Sequence, residues 1–425
     1  MRCGWSAGRR RRAGRCRRRA VVCRAVPVAG HPLDRLDSVG RMRSSPHMPR
    51  LDFIAGELAD LEARDRRRRV RVVESRRGAE VVVDGQTLVN FASNDYLGLA
   101  VDPRLAAAAA QAEATLGVGA GASRLISGHT GVTAALESAI AAWVRRPACR
   151  LFNSGYAANT GLIPSLASSG DVIFSDDRNH ASLIDGCRLS RATIEVYRHN
   201  DVDDLRRRMA ARSGRRRFVV TESLFSMDGD PAPLEEIVAV AHAGEAAVIV
   251  DDAHALGVLG EGGAGLAPSS QADVIVGTLG KSVGSAGAFV AGSVGLADLL
   301  WNRARPLVFS TGMTIGAQAA ALAGVEIARG ADGARRRAML TELRAQLMRG
   351  LGLADGLGAI VPVMLGADAA AVAASTALER GGFWVPAIRP PTVAEGTARL
   401  RVTLSAIHSS AQVRALVEAL RPYVR

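Results

Sequence analysis

Of the chain's 54 lysines and arginines, only Lys281 is a lysine. On a solvated surface either cation serves, but a guanidinium stays protonated and cannot attack a carbonyl. The one retained amine, in Thr278-Leu279-Gly280-Lys281-Ser282-Val283-Gly284, therefore points to imine chemistry. Glycines on both sides let the backbone pass close to a bulky group. A second stretch, Val248-Ile249-Val250-Asp251-Asp252-Ala253-His254, is an apolar strand that ends in a carboxylate. A negative charge in such a place keeps a heteroaromatic nitrogen protonated. His254, three residues on, can reach a neighbouring oxygen of the same ring. Taken alone, Asp251 would as readily cap a helix and His254 sit in a core. Third, Cys149-Arg150-Leu151-Phe152-Asn153 reads as a short buried strand, and Ser154-Gly155-Tyr156-Ala157-Ala158-Asn159 opens a helix behind it. Free amides and the helix dipole at that turn favour an anion. An imine-forming lysine, a partner for a ring nitrogen and an anion cradle are together what pyridoxal phosphate requires.

These residues need a frame that brings them to one edge. Apolar runs at 171–175, 193–197, 217–221, 246–251, 273–277 and 287–291 read as strands, with helices between several of them. That alternation predicts an α/β fold with a mostly parallel sheet covered on both faces. Ligands in such sheets sit at the carboxyl ends of strands. His180, Glu222, Ser226, Asp251, His254, Thr278 and Lys281 all fall just after strands. Upstream, residues 51–69 carry apolar residues at helical spacing and end in Arg66 to Arg69, a run expected to be mostly solvated. Asp84-Gly85 between apolar runs predicts a hairpin over 79–91. Thr130 is expected to cap a helix running to about residue 145. The run Gly117 to Gly131 has alternating glycines but neither the spacing nor the following acid of a dinucleotide fingerprint, which excludes NAD. After residue 305 the pattern predicts helices at 313–329 and 335–352, then a smaller α+β module. Its strands are expected near 358–364, 383–388 and 398–404 and its helices near 368–379 and 410–421. Arg389-Pro390-Pro391-Thr392 reads as a rigid, extended linker. Arg399 and Arg401 share one strand face, where they hold a carboxylate or simply face solvent.

The net charge of +13 is unevenly spread: residues 1–47 hold thirteen arginines against two acids, so they carry +11 of it. The remainder is nearly neutral. The segment has little apolar periodicity and reads as a disordered tail. A nonspecific nucleic-acid contact, an Arg-rich targeting segment and translation from an upstream start, with Met48 as the true beginning, all fit it. No run of 18 apolar residues marks a membrane span. Cys149 and Cys187 are isolated and the other cysteines lie in the tail, so neither a disulfide framework nor a metal site is expected and the body reads as cytosolic.

Motifs along the body also carry a resemblance. NFASNDYLGL, GASRLISG, SGYAAN, NHASL, TESLFSMDGD, VDDAH, GTLGK and AIRPPTVAEGTARLRVTLSAIH resemble the α-oxoamine synthases of pyridoxal-phosphate fold type I. The RPPT and GTARLR run is most similar to the branch that serves biotin biosynthesis. The resemblance implies a seven-stranded sheet in a large domain over 96–305, preceded by an N-terminal helix and hairpin segment over 48–95. A small domain over 306–425 follows. It implies an acyltransferase that joins L-alanine to a pimeloyl thioester, on coenzyme A or a carrier protein, with loss of carbon dioxide. Relatives using glycine or another thioester are the alternative; a fold that has lost catalysis is countered by the intact Lys281, Asp251 and His254. By the same resemblance Lys281 forms the imine, Asp251 faces the pyridine nitrogen, and His254 and Ser226 reach the ring oxygen. His180 stacks on the ring, Gly155 and Tyr156 contact the cofactor, and Thr278 binds its phosphate. Asn94, Arg401, Thr392 and Arg68 contact substrate. The family is dimeric, so Ser310 and Thr311 serve the partner's phosphate; neither a membrane nor a nucleic acid is expected as partner. Two departures stand out: the usual Gly-Thr after the DDAH histidine is Ala255-Leu256, and the loop 261–272 is shorter than the family's.

Overall fold

The five inner strands of the central sheet are buried along nearly their whole length, because helices cover both of its faces. The computed structural model describes residues 51–424, so the expectations made for the arginine-rich tail lie outside the described residues. Helix α1 (Phe53–Ala63) is followed by β1 (Val73–Arg77), β2 (Glu80–Val83) and β3 (Gln86–Asn90). The β2–β3 hairpin turns at Asp84-Gly85, both with positive φ, the geometry that Asp-Gly favours. The expected helix over 51–69 stops at Ala63, and Arg66 to Arg69 run on without helical structure. Leu58 and Leu61 on its apolar side stay exposed.

Helix α2 (Pro103–Leu116) precedes a single π-helical turn at Arg124–Gly128 and α3 (Gly131–Trp143), which Thr130 caps as its sequence implies. Then come β4 (Ala148–Phe152), α4 (Gly155–Leu166), β5 (Val172–Asp176), α5 (Ala181–Ser190), β6 (Thr193–Tyr197), α6 (Val202–Ala211), β7 (Arg217–Glu222), α7 (Leu234–Ala243), β8 (Ala246–Asp251), β9 (Val274–Thr278) and β10 (Ala288–Gly292). They form one seven-stranded sheet in the order β4-β10-β9-β8-β7-β5-β6. Only β10 runs against its neighbours. Alternation sorts the side chains: Val248 and Val250 join Leu136, Ile140 and Ile275 on one face, while Ile249 joins Ile173, Val220 and Leu183 on the other. Since β9, β8, β7 and β5 are parallel, their carboxyl ends lie along one edge, where Thr278, Asp251, Glu222 and Asp176 emerge.

The chain continues through α8 (Val294–Arg303), α9 (Arg305–Val308), α10 (Ile315–Arg329), α11 (Ala331–Leu351), β11 (Ile360–Gly366), α12 (Asp368–Arg380), β12 (Phe383–Trp384), β13 (Ala387–Ile388), β14 (Ala398–Thr403) and α13 (Ser410–Leu420). Strands β11, β14 and β13 make a three-stranded sheet, with a core in which Leu347, Val361, Leu400, Val402 and Leu416 meet. The single strand expected over 383–388 is two. Phe383 and Trp384 extend the hairpin sheet beside β3, whereas Ala387 and Ile388 pair with β14. Pro386 between them has no N–H to continue a ladder. The segment 389–392 is not extended either: it bends into a turn closed by the Thr392 N–H to the Arg389 carbonyl at 3.1 Å, with a cis Pro390–Pro391 peptide.

Candidate active site

Lys281 lies just past β9, and its Nζ sits 2.7 Å from His254 Nε2. The other ring nitrogen, Nδ1, is 2.6 Å from the Tyr96 hydroxyl. That hydroxyl is 3.2 Å from Asn94 Oδ1, which accepts from Arg401 Nη1 at 3.1 Å. An unbroken line of polar side chains thus joins Arg401 to the single amine. Burial lowers Lys281 to about 8, assisted by the charge of Arg401, although Asp251 and Glu222 pull the other way. Burial also holds His254 well below its ordinary range, with Lys281 and Arg401 adding to the effect. At pH 7 the Lys281 amine is free base far more often than an ordinary lysine, whose pKa is about 10.4.

Asp251 closes β8 with both oxygens engaged. Asn159 Nδ2 donates to Oδ2 at 2.8 Å, and the Ala253 N–H to Oδ1 at 3.0 Å. Asn159 sits on α4 one turn beyond Gly155 and also donates to Ser182 Oγ at 2.9 Å. Ser182 in turn faces His180 Nδ1 at 2.8 Å, and its N–H donates to the same nitrogen at 3.2 Å. His180 Nδ1 is therefore an acceptor, and the residue is exposed. Burial lowers the His180 pKa, while Asp251 opposes the shift. Glu222 ends β7 in register with Asp251, and its Oε1 is buried without a partner among the described residues. Burial first, and the neighbouring Asp251 charge second, push its carboxyl up.

Gly155 opens α4 with nothing within 4 Å of the place a Cβ would take, so the helix start is accessible. Tyr156 is half exposed, its hydroxyl held by Asp185 at 2.6 Å. Thr278 Oγ1 donates to the Gly287 carbonyl and receives the Gly280 N–H, which leaves it room to accept again. The two glycines of the lysine loop differ in purpose. A Cβ on Gly280 would meet nothing closer than 3.7 Å, but one on Gly284, at φ +74°, would lie 2.5 Å from the Leu99–Ala100 backbone. Gly284 therefore serves chain packing, and only the Gly280 side is open to a ligand.

Arg399 and Arg401 are both buried at 4% exposure, not solvated. They are held separately. Arg399 pairs with Asp228. Arg401 donates through Nε to the Ser226 carbonyl at 2.6 Å and through Nη1 to Thr403 Oγ1 at 2.9 Å, while Nη2 is buried with no partner among the described residues. The spare donor is the residue's most informative feature, since a buried unpaired charged donor is costly unless a ligand completes it. Arg68 Nη2 donates to Thr392 Oγ1 at 3.0 Å, so two residues expected to touch substrate meet each other, in an exposed place with no hydrogen bond to the Lys281 group. Most of the run Arg66 to Arg69 is solvated, as expected: Arg67, Arg68 and Arg69 are exposed, with Arg67 and Arg69 beside Glu62, and only Arg66 is part-buried, against Asp368 and Glu395. Thr311 lies against the α4 approach, its carbonyl accepting from Asn153 Nδ2 at 2.9 Å, and neighbouring Ser310 is part-exposed.

Residues 86–420 match the family model described as aminotransferase class I and II. A curated relative from Anaeromyxobacter dehalogenans, named 8-amino-7-oxononanoate synthase, is 48% identical over 379 residues, covering 87% of this chain and 95% of its own. Another of that name, from Bordetella petrii, is 46% identical over 386 residues, covering 88% and 98%. The chain belongs to the 8-amino-7-oxononanoate synthase family. Among solved structures, a serine palmitoyltransferase from Sphingomonas wittichii superposes with a TM-score of 0.83 at 32% identity, covering 89% of this chain and 98% of that one. An 8-amino-7-oxononanoate synthase from Francisella tularensis gives 0.68 at 26%, covering 79% and 97%. The departure at Ala255-Leu256 is internal: both residues are fully buried, and Leu256 lies in the core cluster with Ile275.

Two functional residues escape a reading of types and spacing. Tyr96 looks like a loop aromatic in NDYLGL, yet it is wholly buried and orients His254. Asn159 looks like an ordinary helix residue, and only its position four after Gly155, on the same helix face, hints that it turns towards β8.

Proposed function

We propose that the group around Lys281 condenses L-alanine with a pimeloyl thioester to give 8-amino-7-oxononanoate, carbon dioxide and the free thiol, with pyridoxal phosphate as cofactor. One observation carries this reading: the only lysine of the chain presents a part-buried, readily deprotonated amine at the strand edge that also carries Asp251. The residues fit the cofactor. Lys281 would bond it, Asp251 would hold the proton on its ring nitrogen, and His254 and Ser226 would meet its ring oxygen. His180 would cover the ring face, and Gly155, Tyr156 and Thr278 would hold the phosphate end.

Bound there, pyridoxal phosphate supplies an electron-withdrawing ring that stabilises negative charge on the amino acid's α-carbon. The chain's own residues do the rest. Arg401, through its spare Nη2, and Asn94 receive the alanine carboxylate. Lys281 Nζ takes the α-proton and later returns one. Asp251, fixed by Asn159, keeps its charge aimed at one place, so no reorganisation is needed as charge develops. Arg68 and Thr392 stand on the thioester side.

The same reading includes a homodimer in the cytoplasm. Ile126 and Phe309 are 80% and 72% exposed, and the Ser123–Thr311 bridge brings their segments together, which leaves an apolar surface for a second copy. Ser310 and Thr311 on that side would reach the partner's phosphate. No helix of the described residues is long and apolar enough to cross a membrane. We place the large domain at 96–305 and the small one at 306–425, and expect no nucleic-acid role: removal of residues 1–47 should leave turnover intact. Purified enzyme offered alanine, glycine and serine with several acyl thioesters tests the substrate pair. Preference for alanine with pimeloyl thioester supports it, and faster turnover of glycine or another acyl group would replace it.

A further inference from the structure

His199 follows β6 and sits between two carboxylates. Its Nδ1 is 2.9 Å from Asp176 Oδ1, and its Nε2 is 2.7 Å from Asp230 Oδ2. A neutral imidazole has one N–H and can satisfy only one of them; the other nitrogen would then turn a lone pair towards a carboxylate. Both contacts are favourable only for the imidazolium. The ring also stands edge-on to Phe225, with centroids 4.3 Å apart. Burial opposes the charge, but the two carboxylates outweigh it and raise the group to about 9. The other polar groups around it do not replace it. The Asn200 amide also reaches Asp230 Oδ2, at 3.1 Å, and the Arg178 N–H donates to Asp176 Oδ1 at 2.8 Å. The Arg178 guanidinium is committed to Asp228, and Arg198 to Asp201 and Asp204. Asp230 Oδ1 is buried without a partner among the described residues, so no second cation neutralises that carboxylate.

Asp230 closes the loop that follows β7. The Phe225 N–H donates to the Asp230 carbonyl at 3.0 Å, and the Ala232 N–H to the Ser223 carbonyl at 3.0 Å. The enclosed residues do specific work: the Ser226 carbonyl holds Arg401 Nε, and Asp228 holds Arg399. One side of the loop is thus gripped by two buried arginines of β14 and the other by one histidine anchored to the end of β5.

We propose that His199 is a positioning residue, an imidazolium clamp between Asp176 and Asp230 that fixes the 223–232 loop and through it Ser226 and Arg401. The proposal rests on the assignment of Ser226 and Arg401 to the active site. It does not require His199 to touch substrate or cofactor.

Nitrogen NMR of the holoenzyme labelled at its eight histidines tests it. The His199 signals are identified by their loss in His199→Gln or, should that variant not fold, by their shift in Asp230→Asn. Both ring nitrogens should carry protons at pH 7.5 and titrate together near 9, and a singly protonated ring at pH 7.5 overturns the proposal. His199→Gln should bind pyridoxal phosphate about tenfold more weakly and lose roughly tenfold to a hundredfold in kcat/KM, as expected for sub-ångström misplacement of site groups. In Asp230→Asn, a neutral imidazole can donate to Asp176 and accept from the amide, so the fall in kcat/KM that His199 contributes near pH 9 should disappear. Cofactor affinity and kcat/KM unchanged in His199→Gln would overturn the clamp. Ser226→Ala measured alongside separates the two readings: if it alone leaves cofactor affinity intact while His199→Gln lowers it, the assignment of Ser226 fails and the clamp acts through Arg401.

Discussion

Replacing Arg401 by methionine should damage alanine recognition far more than folding. The three donor nitrogens of this guanidinium are in different situations: Nε goes to the Ser226 carbonyl, Nη1 serves Asn94 and Thr403, and Nη2 is buried and unused among the described residues. The side chain is therefore already oriented by the protein, and a carboxylate arriving at Nη2 meets a donor whose ordering cost has been met during folding. A hydrogen bond to a charged group contributes about 1.5–3 kcal/mol, or roughly 10- to 150-fold in affinity. Methionine preserves length and apolar contact but removes every donor, so the apparent KM for L-alanine should rise by that factor. Arg401→Lys keeps the charge on a point donor and should fall between the two. Because the variant also frees the Ser226 carbonyl, the assay must isolate the carboxylate. Binding of L-alanine and of L-alaninamide to the holoenzyme, followed by the cofactor's absorbance, does so. The wild type should prefer alanine strongly, and Arg401→Met should bind the two nearly alike. A variant that folds, binds cofactor and still prefers alanine by the wild-type margin would refute the role given to Arg401.

Tyr96→Phe leaves His254 Nδ1 buried without its partner, so it should lose about 1–3 kcal/mol of stability and a comparable part of kcat, read by thermal unfolding and steady-state kinetics. Glu137 is buried with Arg124 at 2.6 Å and also accepts the Leu151 N–H at 2.8 Å. Glu137→Ala strands the Arg124 charge and should destabilise by about 3–5 kcal/mol, by denaturant unfolding, without altering the KM for alanine. His408 stacks on Phe91 at 4.2 Å, its Nδ1 accepting the Ser405 N–H and its Nε2–H donating to the Asn90 carbonyl, and burial lowers it to about 4. The folded state therefore resists protonation that the unfolded chain accepts near 6.5. Its contribution is complete above that pH and is lost as pH falls towards 4, so unfolding midpoints should drop across this window and do so less in His408→Gln.

Much of the site was legible because each polar residue follows an apolar run. Parallel strands put such residues on one edge whatever the details of packing, so Lys281, Asp251, Glu222 and Thr278 could be placed together from spacing alone. Contacts between distant segments were not legible in this way. Tyr96 reaches His254 across 158 positions, and Arg401 reaches Asn94 across 307, with no local pattern to announce either. Local chemistry misled at the boundaries. The helical spacing of Leu51, Ile54, Leu58 and Leu61 carries no stop signal before the arginine run, yet α1 ends at Ala63 and Arg66 pairs with Asp368 and Glu395 beyond it. Two prolines suggested an extended 389–392 segment, whereas the Thr392 N–H folds it into a turn. Arg399 and Arg401 looked as much like a solvated face as a buried one, because spacing reports a shared face and not what covers it.

The central claim is that Lys281 is the amine that holds the cofactor. Since no other lysine exists in the chain, the absorbance of an imine with pyridoxal phosphate reports this side chain with almost no background. Cofactor-free protein mixed with pyridoxal phosphate should form that band at a rate that rises with pH and levels off above about 8, the value to which burial lowers the amine. Borohydride should then fix one cofactor per chain on the Lys281 peptide, and Lys281→Arg should retain the cofactor only noncovalently and show no imine band. An imine band that survives in Lys281→Arg, or a label carried by any other peptide, would contradict the account.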